Sequence, residues 1–185
     1  LETVFSQLLS EQLEIPLEVI RIVQGDTEQV KGLGSFGSRS LFVGGSALLD
    51  GAKEFLEKGK ELAAEELEAA VEDISYQNGR FEVLGTSIGL GLFELAARQA
   101  ELSFSTETEK SLEERSWPNG CHIAEVEIDP ETGSVKLVRH GSVDDTGNPI
   151  NPMIVEGQLH GGIAQGAGQV LLEQAVYDSE GQILT

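Results

Sequence analysis

A glycine-rich segment late in the chain has residue types that can hold a polar ligand. Residues 157–169 read Gly-Gln-Leu-His-Gly-Gly-Ile-Ala-Gln-Gly-Ala-Gly-Gln, and an apolar, helix-like stretch follows from Val170 to Ala175. Glycines let a backbone approach a bound group, and a helix that begins there directs free N–H groups at the ligand. Gln165 can both donate and accept hydrogen bonds. The segment predicts either a ligand-holding turn or glycines that let two helices pack closely.

A second glycine-rich segment lies earlier in the chain. Gly32, Gly34 and Gly37 match the pattern G-x-G-x-x-G. In a dinucleotide-binding Rossmann unit these glycines come directly after a strand and before a parallel crossover, whereas here they lie away from the preceding apolar run and a hairpin follows the next helix. Gly37 and Ser38 are instead predicted at a helix N-terminus, with Ser38 as its cap and Arg39 available to an anion. An ordinary capped loop with an exposed arginine is the alternative.

Other reactive side chains give weaker signals. His122 and Glu125 have the spacing of metal ligands, but residues three apart on a strand face opposite sides, so we expect no metal site there. Cys121 has no His–acid pair beside it in the sequence, which favours a buried structural thiol over a nucleophile. Asp144 and Asp145 can do acid–base work, although the neighbouring Asn-Pro pairs favour a capping role in turns.

The composition narrows the class of protein. The chain has 185 residues, a formal net charge of −20 and one cysteine. Such an acidic chain without a basic patch repels nucleic acids and anionic membranes, and no window approaches the roughly 20 apolar residues of a membrane span. No disulfide framework and no targeting peptide are visible, so we expect a reducing, cytoplasmic compartment. The start at Leu1, inside a predicted helix, suggests a piece of a longer protein.

Hydrophobic periodicity predicts an α+β fold in which helices pack on mixed or antiparallel sheets with several β-hairpins. One domain fits this pattern, and so do two lobes, 1–100 and 120–185, with a mobile, exposed loop over 105–119. The individual elements are predicted as helices over 1–14, 40–73 (broken or bent at Gly59) and 87–99, strands over 17–23 and 101–104, and hairpins over 74–84, 121–142 and 176–185. The hairpin signal is strongest at Asn78-Gly79.

The order of these motifs resembles the molybdenum-cofactor-binding large subunit of the xanthine dehydrogenase, aldehyde oxidase and carbon monoxide dehydrogenase family. The matching segments are Gly-Asp-Thr at 25–27, Gly-Ser-Phe-Gly-Ser-Arg-Ser at 34–40, Gly-Cys-His-Ile-Ala-Glu-Val-Glu at 120–127, Asp-Pro-Glu-Thr-Gly at 129–133, Val-Asp-Asp at 143–145, and 151–166. Each match alone is weak, but the series runs in family order across nearly the whole chain and is specific.

The resemblance implies a molybdopterin-dependent oxidoreductase that hydroxylates aldehydes or N-heterocycles with oxygen from water. Electrons would pass to iron–sulfur clusters and FAD on partner subunits or domains. Matching the family's cofactor contacts are Gly37, Ser38, Gln165 and Gly166, with Arg39, Asp26 and Thr27 for the nucleotide tail if the cofactor is a dinucleotide.

The resemblance also identifies what this sequence lacks. The family's Gly-Gln-Gly turn is expected before Leu1 and its catalytic glutamate beyond Thr185, so no catalytic residue is predicted. We expect the remaining part of a longer chain as a partner, no nucleic-acid or membrane partner, and a 185-residue segment that is inactive, binds cofactor weakly and exposes apolar surface. A non-catalytic acidic interaction module and a nicotinamide-dependent dehydrogenase are the alternatives.

Overall fold

A computed structural model describes residues 1–30, 32, 34–109 and 116–184 of the chain. The chain divides into two compact units, Leu1–Arg115 and Ser116–Thr185. Both units combine α-helix with antiparallel sheet, which confirms the predicted α+β class. The lobe boundaries and the mobile loop over 105–119 stay predictions, and residues 110–115 of that loop lie outside the described part.

The first unit begins with an amphipathic helix, α1, at Glu2–Leu13. Val4 and Leu8, one turn apart, are buried, and the chain leaves the helix through Glu14 in a left-handed conformation (φ 49°). The strand predicted over 17–23 is wrong. Leu17–Val19 forms a 3₁₀ turn, because apolar alternation makes a strand only where another strand pairs with it, and no described residue does so here.

The long helical segment begins as a π-helix at Ser40–Gly45 and continues as α2 at Ser46–Leu67. The predicted break at Gly59 is wrong, since α2 runs through it. Gly59 is buried and faces the aromatic ring of Phe81, so its missing side chain serves the packing of α2 on the sheet. A short 3₁₀ turn, Val71–Asp73, follows the helix.

The first unit contains a three-stranded antiparallel sheet with the strand order β1-β2-β3. Strands β1 (Ile74–Gln77) and β2 (Arg80–Val83) form the predicted hairpin, in which Asn78 and Gly79 both have positive φ, 49° and 72°. This is the geometry that a two-residue primed turn requires. The helix predicted over 87–99 is shorter, because β3 (Gly89–Gly91) pairs with β2 before α3 (Leu92–Arg98) begins.

The core of the first unit lies between α2, the sheet and α3. Its buried members are Ala63, Ala64, Ile74, Phe81, Leu90, Leu92 and Leu95. The strand predicted over 101–104 is wrong. Instead the chain lies along α2, where the ring of Phe104 stacks on that of Phe55 at 4.4 Å and Lys58 Nζ donates to the carbonyl of Ser105 at 2.9 Å. These contacts with a helix replace the pairing that a strand would need.

The second unit contains one long hairpin and one long helix. Strand β4 (Asn119–Ile128) pairs with β5 (Val135–Asp145), with a bulge between Glu125 and Val126, as predicted for this region. Helix α4 covers Pro152–Leu171. The hairpin predicted over 176–185 is reduced to one antiparallel bridge, Tyr177 to Ile183, among the described residues.

Candidate cofactor-binding segments

The glycine-rich segment of the second unit is helical, so the predicted turn is wrong. Helix α4 begins at Pro152, where the side-chain oxygen of Asn151 accepts a hydrogen bond from the Ile154 N–H at 3.1 Å. An Asn cap followed by proline is a strong start signal, and each interior glycine costs only about 1 kcal/mol against alanine. The free N–H groups of α4 therefore lie before the glycines and not among them.

Helix α4 has two different sides. Val155, Leu159 and Ile163 recur one turn apart and are partly covered. Gln158 and Gln165, two turns apart, share a different side of the helix, turned by about 100–120° from the first, and both are exposed. The two amides can each donate and accept hydrogen bonds, so this exposed side suits a ligand with several heteroatoms.

The glycines of α4 leave open space beside the helix. A Cβ added at Gly157, Gly161, Gly162 or Gly166 would meet no atom within 4 Å, outside the helix's own backbone and chain neighbours. Gly44 differs, because its Cβ would fall 2.9 Å from the ring of Phe5. Packing within the described chain therefore accounts for Gly44 and does not account for these four of the five glycines of α4. Their backbone is accessible to a group that the chain itself does not supply.

The second predicted segment is an exposed loop in the first unit. Gly37 (φ 58°) and Ser38 (φ 54°) are consecutive left-handed residues, an arrangement that can turn successive N–H groups toward one concavity. The predicted cap is wrong: Arg39 is the N-cap residue of the following π-helix, without a capping side-chain bond, because left-handed Ser38 lies one residue too early. The guanidinium of Arg39 lies 4.7 Å from the ring centre of Phe36, a cation–π contact.

Asp26 and Thr27, predicted near a nucleotide tail, lie in a turn of the same unit. The Asp26 carboxylate accepts hydrogen bonds from the Glu28 N–H at 3.0 Å and from Gln29 Nε2 at 2.6 Å. Asp26 thus organises its own turn, and Thr27 is exposed. Gly37, Ser38 and Arg39 belong to the first unit and Gln165 and Gly166 to the second, so their convergence on one cofactor stays a prediction.

A His–Asp pair on the long hairpin was not predicted. His122 Nε2 lies 3.0 Å from Asp144 Oδ1, and this bond, together with a smaller contribution from Ser142, lowers the pKa of the Asp144 carboxyl. The register places Gly120 opposite Asp144, and a Cβ on Gly120 would meet that carboxylate at 2.7 Å. The pair lies diagonally across the hairpin, so its signal appears only once the register is known.

The structure confirms one of the remaining predictions for single residues and contradicts two others. Asp145 caps a turn as predicted, accepting from the Gly147 N–H at 3.0 Å, whereas Asp144 bonds to His122 instead. Cys121 is exposed, so the prediction of a buried thiol is wrong. No layer of described residues covers the hairpin at this position.

Within the described ranges no group of three or more His, Cys, Asp or Glu side chains has the arrangement of a metal site. None of the described helices is long and apolar enough to cross a membrane.

A cavity of about 470 Å³ lies within the second unit, between β5 and α4. Its walls are formed by His140, Ser142, Pro149, Pro152, Val155, Glu156, Leu159, His160 and Ile163. The ring of His122 lies 5.4 Å from that of His140, so all three histidines of the chain lie in or beside this cavity. The cavity lies on the side of α4 that carries Val155 and Leu159, and Gln165 is not among its walls.

Each unit of this α+β fold has one exposed segment with polar donors: the loop with consecutive left-handed residues in the first unit, and the glycine-rich helix α4 with Gln165 in the second. The family model for the molybdopterin cofactor-binding domain matches residues 1–185. The chain belongs to this molybdopterin cofactor-binding family.

Relatives share this segment at moderate identity. The chain is 33% identical, over its whole length and 25% of the relative, to the 6-hydroxypseudooxynicotine dehydrogenase complex subunit gamma of Paenarthrobacter nicotinovorans. It is 34% identical to the carbon monoxide dehydrogenase large chain of Hydrogenophaga pseudoflava, over 99% of this chain and 24% of that one. Quinoline 2-oxidoreductase from Pseudomonas putida 86 superposes with a TM-score of 0.83 at 35% identity, over all of this chain and 25% of that structure. The chain thus spans about a quarter of the relatives that it matches.

Proposed function

We propose that this chain supplies part of the cofactor-holding wall of a molybdenum hydroxylase, within a longer polypeptide. The observation that carries the proposal is the exposed side of α4, where Gln165 and the unobstructed backbone of Gly161 and Gly162 are accessible, with open space also at the neighbouring Gly166. A flat, heteroatom-rich pterin fits such a surface, because the missing side chains permit close approach and an amide can match donors and acceptors. The family match supports molybdopterin as that group.

The loop of the first unit is proposed to hold an anionic part of the same cofactor. Gly37 and Ser38 offer backbone N–H groups and a hydroxyl, and Phe36 holds the Arg39 guanidinium close by. A phosphate or pyrophosphate suits this donor set, with Arg39, Asp26 and Thr27 near the tail of a dinucleotide form. Asp26 acts indirectly in this proposal, since its carboxylate is already bonded within its turn.

When bound, the cofactor supplies the two-electron redox chemistry of substrate hydroxylation. The residues of this chain bind and orient it: Gln165 through hydrogen bonds, the glycines by close approach, and the loop by charge and backbone donors. No residue of the chain is assigned a proton-transfer step. The substrate class is proposed as aldehydes or N-heterocycles, with iron–sulfur and flavin partners accepting the electrons, and the cytoplasm as the compartment.

The proposal is tested by metal content. A longer protein that carries this sequence, purified from its own host, is expected to contain about one molybdenum per chain by plasma mass spectrometry, with a pterin released in the same sample. Gln165→Ala is expected to lower the retained molybdenum several-fold after gel filtration. The control Gln77→Ala, an exposed amide of the first unit, is expected to retain it.

An acidic interaction module is the competing function. It predicts a well-folded protein without molybdenum, from a host shown to make the cofactor, and identical behaviour of the two glutamine variants. The nicotinamide dehydrogenase alternative needs a parallel βαβ unit, and both sheets in the described residues are antiparallel. We therefore do not retain it.

A further inference from the structure

The second unit has no core of its own. No described residue between 116 and 184 is buried, whereas the first unit buries a continuous cluster. On the hairpin, Ile123 is 70% exposed and Val143 77% exposed, and both lie on the face opposite to that of His140 and Ser142. A two-stranded hairpin is at best marginally stable by itself, because the entropy of ordering the chain is offset chiefly by apolar burial. The hairpin and α4 therefore carry apolar residues at the spacing of packed elements, but no described residue buries them.

The cavity between β5 and α4, on the other face of the hairpin, is one place where packing is missing. Its walls are mainly apolar, with Val155, Leu159 and Ile163 on the helix side. The polar groups include His160, whose ring nitrogen lies 4.0 Å from Glu156. Apolar side chains that entered this space would remove its apolar walls from water, which favours binding.

The form and charge of the unit restrict what can fill the cavity. Both strands of the two-stranded sheet have a free edge among the described residues, which favours an extended segment that pairs its backbone. Residues 116–184 include ten acidic and only two basic residues, so a second copy would bring like charge to the interface. A segment with basic residues is complementary. Relatives about four times as long show that proteins of this kind carry further polypeptide.

We propose that the cavity between β5 and α4 is the docking site for an extended, apolar polypeptide segment with flanking basic residues, supplied by the rest of a longer chain. Binding of this segment covers the apolar side of α4 and the face of β5 that carries His140 and Ser142. The inference concerns polypeptide packing and does not rest on the cofactor, so cofactor-free protein is used to test it.

The test is hydrogen–deuterium exchange by mass spectrometry on the 185-residue chain and on a longer protein that contains it. In the shorter chain, amides of β4, β5 and α4 are expected to exchange at least 100-fold faster than in the longer protein. Amides of β1 and β2, in the first unit, should change by less than a few-fold and verify that this unit is folded. Equal protection of β4, β5 and α4 in both proteins would overturn the proposal.

A variant pair locates the contact. Val155→Trp places a large ring in the cavity and obstructs it. The change is expected to be silent in the shorter chain but to restore fast exchange of α4 in the longer protein. Met153→Trp, at a 73% exposed position of the same helix, is the control and should be silent in both. If Val155→Trp leaves the longer protein unchanged, the cavity is not the docking site. If protection in the shorter chain rises with its concentration while light scattering shows a dimer, the occupant is a second copy and the proposal is wrong.

Discussion

The ring of Phe81 occupies the space where a side chain on Gly59 would lie. A Cβ built on Gly59 would overlap the ring's Cζ and lie 3.0 Å from Cε1, and Phe81 itself is completely buried. Helix α2 and strand β2 therefore approach one another at a distance that only glycine permits. This contact ties the longest helix of the first unit to the middle strand of its sheet.

Gly59→Ala is expected to destabilise the first unit by up to about 2 kcal/mol. Overpacking a filled site costs roughly 1–3 kcal/mol, and the gain in helix propensity of about 1 kcal/mol offsets only part of it. Urea denaturation followed by circular dichroism measures the change in the free energy of unfolding. The control Gly51→Ala, in the same helix, should be neutral or stabilising because its Cβ meets only the side chain of Thr108, at 3.2 Å. Similar losses in both variants would exclude the ring contact as the cause.

Gly166→Ala is expected to strengthen α4 while weakening cofactor retention. No nearby atom opposes the new methyl group, so helix propensity should rise by about 0.5–1 kcal/mol. The same methyl group would hold a bound pterin away from the backbone. Circular dichroism of the chain and molybdenum content of the longer protein measure the two effects, with Gly157→Ala as the control for helix strength. Full molybdenum retention by Gly166→Ala would remove this glycine from the proposed site.

Ser38→Gly is expected to stabilise the first unit by up to about 1 kcal/mol. A non-glycine residue in the left-handed region costs roughly 1–2 kcal/mol, and glycine relieves most of that cost. Glu68→Gly, at the left-handed C-cap of α2 (φ 52°), is a control with the same backbone geometry and no proposed ligand. Urea denaturation should show gains in both variants, while only Ser38→Gly should also lower cofactor retention, through the lost hydroxyl. A loss of stability in Ser38→Gly would contradict the strain argument.

His122→Ala is expected to raise the pKa of the Asp144 carboxyl toward its ordinary value. The hydrogen bond from His122 is the main cause of the lowered pKa, so Ser142 should sustain only part of it. Because the folded-state pKa is depressed, the stabilising contribution is present above the unfolded-state pKa and is lost as pH falls through the folded-state value. Carboxyl ¹³C chemical shifts followed through an acid titration measure it. His160→Ala, which leaves the hairpin pair intact, should not shift Asp144.

Local signals were predictable from the sequence, and tertiary contacts were not. The hairpin at Asn78-Gly79 follows from two adjacent residues that accept positive φ. Helix α4 begins before its glycines, because the Asn151 cap and Pro152 start a helix more strongly than the glycines interrupt it. The strand predicted over 17–23 failed because alternation does not specify a pairing partner. The side of α4 that carries Gln165 could be found only after its helical register was known.

Tyr76 is expected to ionise well above the ordinary range for tyrosine. Burial is the main cause and the nearby charge of Glu14 adds to it, raising the pKa of Tyr76 to about 12. Its hydroxyl donates to the carbonyl of Leu13 at 2.5 Å, which joins β1 to the end of α1. The folded state thus favours the neutral phenol, whose ordinary pKa is about 10. Its contribution to stability is complete below about pH 10 and is lost as pH rises toward about 12.

Absorbance at 295 nm in the Tyr177→Phe variant isolates the ionisation of Tyr76, since the chain has two tyrosines. Titration near pH 10 in the folded protein would show that the phenol is solvated and that the contact between α1 and β1 does not persist. Glu14→Gln should lower the apparent pKa only in part, because burial remains the larger cause. A complete return to the ordinary value in that variant would mean that charge, and not burial, controls Tyr76.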